Sequence, residues 1–277
     1  MTAPRIFCIP AARAPVAAVI ARGPSDWVRL GRWDLQRDDY EHGAWLAGTV
    51  YPQRCDLSPD GRWFAYFALK PSSTWDAGPT YIAVSRLPWF TALVAWGTDG
   101  TWTSGVRFVD DRERWTLPEP AEGDPGPLRS RYGLDPRRAE TFANERERGW
   151  TETDDTPARD PHDMWDEKRV RRVTLRKGRP GAEDVALRVG GRFAAFRDNR
   201  NYDPEVWYAL EREGALETLE GVQWADWDGS GRMLVATTDG RLQVRVAEGP
   251  DSAVSWEVDL SADEPAPQPP PDEARRW

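Results

Sequence analysis

The sequence has 277 residues, enough for one large domain or two ordinary ones, and includes 16 tryptophans but only 3 methionines and 2 histidines. Its net charge of −9 argues against a nucleic-acid partner, because such binding depends on Lys and Arg that neutralise phosphates. The two cysteines, Cys8 and Cys55, are too few for a disulfide framework or a four-cysteine zinc site, so we expect no metal or other cofactor.

The first residues of the chain do not have the pattern of a secretory signal. Pro10, Arg13 and Pro15 interrupt the apolar stretch that such a signal needs. No later segment reaches the length of about 18 apolar residues that a membrane helix requires. We therefore expect a soluble, cytoplasmic protein with no membrane partner.

The first predicted β-unit covers about 5–50, with apolar stretches at Val16–Ala21, Trp27–Trp33 and Ala44–Val50. The many aromatic residues favour β-structure, in which aromatic side chains are enriched.

A second unit, over 53–97, contains a predicted hairpin at Ser58-Pro59-Asp60-Gly61. Proline presets φ for a type I turn, and Gly61 supplies the left-handed residue that completes a hairpin. The following run, Trp63–Leu69, is apolar without alternation, which predicts a strand that is covered on both faces.

The hairpin sequence is repeated in a more varied form. Leu57–Tyr66 aligns without a gap with Leu187–Phe196 and with Trp227–Ala236: each has a large apolar residue, a four-residue turn, Gly-Arg and an apolar run. Leu187 precedes Trp227 by 40 residues and follows Leu57 by 130, or about three units of 43. Such periods are typical of propeller blades.

The Leu57–Tyr66 segment resembles the repeat of TolB-like bacterial β-propellers, in which an S-P-D-G turn leads into the second strand of a blade. The resemblance implies an all-β propeller and brings no catalytic residues with it. The full Ser-Pro-Asp-Gly turn occurs once in the chain.

The predicted fold is a single propeller of about five blades over 1–260, with a sixth left open and a β-sandwich as the alternative. The proposed blades are 5–50, 53–97, a third that begins at Val106 and resumes at Val170–Lys177, 184–219 and 222–259. The last blade has predicted strands near 222–227, 232–238, 241–247 and 254–259.

Two segments are predicted to lie outside the blades. Residues 118–168 are rich in proline and acidic residues, which predicts a long insertion that interrupts the propeller. Residues 261–277 are proline-rich and polar, which predicts an extended tail.

The candidate binding residues are of the types that dominate interface energies. Arg86, Trp89 and Phe90 lie together at a predicted tight turn, while Trp150 and Trp165 lie in the insertion. We therefore expect a non-enzymatic binding or scaffolding module, monomeric on its own, that engages a protein partner through its loop and insertion surface.

Two other functions remain as alternatives. A carbohydrate-active enzyme would place paired carboxylates, such as Asp38-Asp39 or Asp110-Asp111, in a central pocket, and a lectin-like module would use aromatic residues there. The two histidines, His42 and His162, both lie in predicted loops, where a single histidine is usually only solvated.

Overall fold

The computed structural model describes residues 3–23, 26–71, 76–137, 141–153, 170–194, 206–246 and 253–277. The protein is all-β with several antiparallel sheets, as the sequence predicted. The chain divides into two compact units. The first contains Cys8–Ala139 and Asp263–Trp277, and the second contains Ala3–Phe7 and Glu140–Ala262.

The first sheet has four strands in the order β1-β2-β3-β4. They are Arg5–Pro10 (β1), Val16–Arg22 (β2), Trp27–Asp34 (β3) and Asp39–Ala47 (β4). The three predicted apolar stretches lie in strands, but the third is divided at Gly48, where a φ of 156° separates β4 from Thr49–Val50 (β5). There the Leu69 carbonyl oxygen lies only 2.7 Å from the position that a Cβ would take, which explains the glycine.

The second sheet has the order β11-β9-β8-β7-β5, and β6 also pairs with β7. Its further strands are Asp56–Leu57 (β6), Trp63–Leu69 (β7), Thr80–Arg86 (β8), Ala92–Gly97 (β9) and Glu122–Gly123 (β11). The predicted hairpin joins β6 and β7: Gly61 has a φ of 71°, and its N–H donates to the Ser58 carbonyl at 2.8 Å. This turn prediction is confirmed.

Part of the predicted insertion belongs to the folded structure of the first unit. Gly133–Arg137 (β12) pairs with Gly105–Val109 (β10), and the short helix Gly126–Arg129 (α1) precedes it. Leu128 and Leu134 are fully buried in an apolar cluster with residues of β7. This part of the segment predicted as an insertion outside the blades is thus paired in a sheet, because the few apolar side chains between the prolines enter the core.

Two 3₁₀ helices also occur in this unit, at Pro52–Arg54 and Gly100–Trp102. A third, Asp272–Arg275, lies in the segment that the sequence predicted as an extended tail.

The second unit contains a five-stranded sheet in the order β13-β14-β15-β16-β17 and the helix Ala143–Glu147 (α2). Its strands are Thr151–Glu152 (β13), Val170–Arg179 (β14), Ala182–Ala194 (β15), Trp207–Arg212 (β16) and Ala215–Thr218 (β17). The assignment of Val170–Lys177 to a third blade is wrong, because β14 pairs along its length with β15.

The hairpin predicted at Leu187–Phe196 is also wrong where the structure describes it. Gly190 and Gly191 continue β15 instead of turning. Gly190 pairs with Trp207 of β16, and a Cβ at Gly190 would lie 2.2 Å from that indole ring. Glycine is therefore required here for close packing of an aromatic ring, which a sequence alignment cannot distinguish from a turn.

The last sheet has the order β18-β19-β20-β21 and matches the four predicted strands closely. They are Val222–Trp227 (β18), Met233–Thr237 (β19), Arg241–Val246 (β20) and Ala253–Asp259 (β21). The turn between β18 and β19 repeats the Ser58–Gly61 hairpin: Gly231 has a φ of 82°, and its N–H donates to the Asp228 carbonyl at 3.1 Å.

Candidate binding site

Strand β7 positions the candidate site, and it is covered on both faces as its sequence predicted. Trp63, Ala65 and Phe67 enter the apolar cluster of the first unit. On the alternate positions, Phe64 and Tyr66 are also buried and stack on each other, with ring centroids 5.7 Å apart and planes 12° apart. Because both faces are packed, the start of β7 is a rigid platform.

The predicted aromatic turn follows directly after β8. The Trp89 N–H donates to the Arg86 carbonyl at 2.7 Å and closes the turn, which contains a cis peptide bond between Leu87 and Pro88. The Pro88 carbonyl in turn accepts the Ala44 N–H at 3.0 Å. Arg86–Phe90, which we call the aromatic turn, is thus fixed to both neighbouring sheets of its own unit.

Phe90 is the internal anchor of the aromatic turn. Its ring lies edge-on to Tyr66 at 5.2 Å and to Phe64 at 6.4 Å, and its carbonyl accepts the Tyr66 hydroxyl at 2.9 Å. Trp89 and Phe90 are both half-buried. Phe90 holds the turn through the contacts of its ring and carbonyl, and both residues keep part of their surface exposed.

Arg86 stacks on the platform and contacts the end of the described chain. Its guanidinium carbon lies 5.1 Å from the centroid of the Trp63 ring, a cation–π distance. Its Nη2 donates to the Arg276 carbonyl at 3.3 Å, and the Trp277 ring lies 5.3 Å from Trp63 in a tilted edge contact. Trp63 is 1% exposed, so these neighbours cover it almost completely.

Residues 263–277, which we call the strap, are therefore held at both ends within the first unit. At one end Asp263 accepts a hydrogen bond from Arg29 at 2.7 Å, and His42 Nδ1 lies 3.6 Å from the same oxygen. Near the other end, the 3₁₀ helix Asp272–Arg275 buries Ala274 completely. The segment predicted as an extended tail is docked on its own unit.

Both electrostatic interactions and side-chain packing stabilise the position of Asp263. Burial lowers the pKa of His42 and the nearby positive charge of Arg29 lowers it further, while Asp263 opposes both. The ion pair here is therefore formed by Arg29 and Asp263. His42 contributes an edge contact to Tyr40, with ring centroids 4.8 Å apart. Burial raises the pKa of Tyr40, which keeps its hydroxyl neutral.

The sequence did not reveal a pair of buried carboxylates that support the two hairpins. Asp56 and Asp226 each lie two residues before a turn, and each accepts the N–H of the next residue, at 2.9 and 2.7 Å. Each also faces a cation: the buried Arg137 lies 3.5 Å from Asp56, and the half-buried Lys177 lies 2.6 Å from Asp226. Both acids come directly before the first residue of an aligned repeat, and this shared position could have identified them from the sequence.

Two carboxyl groups with a lowered pKa, Asp228 and Glu211, are also engaged in structural contacts. Burial alone would raise the pKa of Asp228, but hydrogen bonds from Arg232 and Ser230 outweigh it and lower the pKa. Burial also opposes the shift at Glu211, whose pKa is lowered by Arg188 and Arg176.

Of the two candidate residues of the insertion, the structure describes only Trp150. Trp150 belongs to the second unit, where it is 3% exposed and packs edge-on to Tyr208 at 6.4 Å. Its ring belongs to the core of that unit, so Trp150 is not available as a surface anchor. Trp165 lies outside the described residues.

Comparisons with known proteins add no family assignment: no family model matches the chain, and no curated protein matches it. Among the described residues, no group of three or more His, Cys, Asp or Glu side chains is arranged to hold a metal ion. In the same part of the chain, no helix has the length and apolar character needed to cross a membrane.

Proposed function

We propose that the chain is a non-enzymatic β-propeller module that binds a protein partner at the aromatic turn of its first unit. Five sheets in the described residues, built mainly of antiparallel pairs, support the propeller. So do the two hairpins with left-handed glycines, at Gly61 and Gly231.

One observation carries the binding proposal: the chain's own strap is seated against Trp63 and Arg86. The contacts that hold it are a ring packed on Trp63 and a main-chain carbonyl bonded to Arg86. Any peptide can offer a carbonyl, and an aromatic side chain is a common interface anchor. The surface therefore has the chemistry to bind a short segment of another protein.

The rigidity of the aromatic turn favours binding without a large entropic cost. Phe90 packs edge-on against two stacked rings, and the Pro88 carbonyl accepts a hydrogen bond from β4, so the backbone at Trp89 is already ordered before a partner arrives. A preorganised surface avoids the ordering cost of about 0.5–1.5 kcal/mol for each side chain that binding would otherwise immobilise.

The surroundings of five carboxyl groups favour binding over glycoside hydrolysis. A glycosidase needs a general acid with a raised pKa. The pKa values of Glu211, Asp228 and Asp259 are all lowered, and Asp56 and Asp226 each face a cation. These five acids are thus suited to structural roles.

The test is affinity capture from a cell extract with the 277-residue chain and two variants. We expect Trp89→Ala to lose a protein that the unaltered chain retains, while Trp207→Ala, which removes a 39% exposed tryptophan of the second unit, keeps it. Thermal melting of both variants controls for folding. If Trp89→Ala retains every captured protein, the aromatic turn is not the binding surface.

A further inference from the structure

We infer that the strap is an internal ligand of the Trp63–Arg86 surface, and that the external partner presents a segment of the same chemistry. That segment is proline-rich and leads through a single helical turn to a tryptophan. This inference rests on the proposed function, since it specifies what the binding surface takes.

The strap has the composition of a recognition peptide. Its sequence, DEPAPQPPPDEARRW, contains five prolines before residue 272, and Asp272–Arg275 then forms one 3₁₀ turn. Proline-rich segments are extended before they bind, so they lose little conformational freedom on docking. The turn brings Ala274 into the core and Trp277 onto Trp63.

The surface is not fully satisfied by the strap, which makes exchange for another segment reasonable. The indole Nε1 of Trp63 and the Nε of Arg86 are buried N–H groups with no hydrogen-bond acceptor in the described structure. Buried donors are nearly always paired in stable proteins. A partner that offers one more carbonyl or carboxylate oxygen here would form bonds that the strap leaves unmade.

Tethering makes the strap a strong competitor. A ligand joined to its site by a short linker acts at an effective concentration in about the millimolar range. The Arg29–Asp263 contact anchors the far end of the strap and keeps the linker short. An added peptide should therefore bind weakly to the unaltered chain and well once the contact of Trp277 is removed.

The experiment uses a fluorescent synthetic peptide of residues 263–277 and the whole 277-residue chain. We expect Trp277→Ala to bind the peptide at least about tenfold more tightly than the unaltered chain, by fluorescence anisotropy. In that background, Arg86→Ala should weaken binding by at least about tenfold, whereas Arg37→Ala, at an arginine with an 80% exposed side chain, should not. A peptide with Ala in place of Trp277 should not bind.

Equal peptide affinity of the unaltered chain and Trp277→Ala would overturn the inference, as would binding that Arg86→Ala leaves unchanged. Arg86→Lys, which keeps the charge and loses the Nη2 donor, provides a second test if Arg86→Ala does not fold. If the unaltered chain forms a dimer and Trp277→Ala dissociates it, the surface binds a second copy of the chain. That result would also overturn the inference. If the peptide does not bind but affinity capture of a partner still depends on Trp89, this inference is wrong and the proposed function still holds.

Discussion

Replacing Arg137 with methionine should destabilise the first unit strongly, although the residue lies in a segment that the sequence placed outside the core. The guanidinium donates to the Cys55 carbonyl at 2.6 Å and to the Gln53 carbonyl at 3.3 Å, and it faces Asp56 at 3.5 Å. The two charged side chains are only 3% and 7% exposed. Methionine fills much of the volume but leaves the Asp56 carboxylate buried without its cation.

Breaking a buried ion pair from one side typically costs about 3–5 kcal/mol, because the remaining charge is no longer compensated. We therefore expect Arg137→Met to lower the free energy of unfolding by about that amount in urea titrations followed by tryptophan fluorescence. Arg137→Met combined with Asp56→Asn should cost less than the sum of the single changes, by at least about 1 kcal/mol.

The matched control is Arg114→Met. Arg114 also pairs with a carboxylate, Asp135 at 2.8 Å, but its side chain is 51% exposed, so the loss should stay within about 1 kcal/mol. If Arg137→Met costs no more than this control, the buried pair does not hold β12 to the hairpin of β6, and the reasoning is refuted.

Three further predictions concern the turns and thiols. Gly61→Ala should cost about 1–2 kcal/mol, because φ is positive and Val16 lies 3.0 Å from the new Cβ, whereas Gly229→Ala, with open space around it, should be nearly neutral. Burial raises the pKa of Cys55 to about 12, so its thiol should not react with Ellman's reagent at pH 8 until the protein unfolds. Asp228→Asn should be destabilising at pH 7, with the difference from the unaltered chain shrinking below about pH 4, because the folded state lowers this pKa.

Each of these has a clear contrary outcome. Equal unfolding energies for the two glycine variants would contradict the hairpin geometry. Rapid labelling of Cys55 in the native protein, measured in a Cys8→Ala background, would show that Cys55 is not buried. A stability difference for Asp228→Asn that grows on acidification would have the wrong sign, since a lowered carboxyl pKa stabilises the folded state only above that pKa.

Local chemistry made some features predictable. The turn at Ser58–Gly61 and the doubly covered strand Trp63–Leu69 follow from proline, glycine and apolar patterning within a few residues, and both are observed. Gly190 occurs in the same local sequence pattern, but glycine is needed there for a different reason: the Trp207 ring of a neighbouring strand packs against it. Local sequence does not contain that information.

The packing of the strap and of the chain before β12 was not predicted, for a related reason. The polar and proline-rich sequences of these segments predict an extended chain, and only a few side chains reverse that preference. Ala274 and Trp277 hold the strap, as Leu128 and Leu134 hold the chain before β12. For the candidate site, the aromatic turn could be predicted because Arg86 and Trp89 are only three residues apart in sequence, whereas Trp277 reaches Trp63 only through the fold.

Site-specific photo-crosslinking tests the central claim, that a protein partner binds at the aromatic turn. A benzophenone side chain placed at Thr91, beside the turn, leaves Trp89 in place; the control position is Leu216, a 58% exposed residue of the second unit. The proposal predicts a covalent adduct from position 91 that Trp89→Ala abolishes. It predicts no adduct of the same mass from position 216. An adduct that forms equally from both positions, or none from position 91, would contradict it.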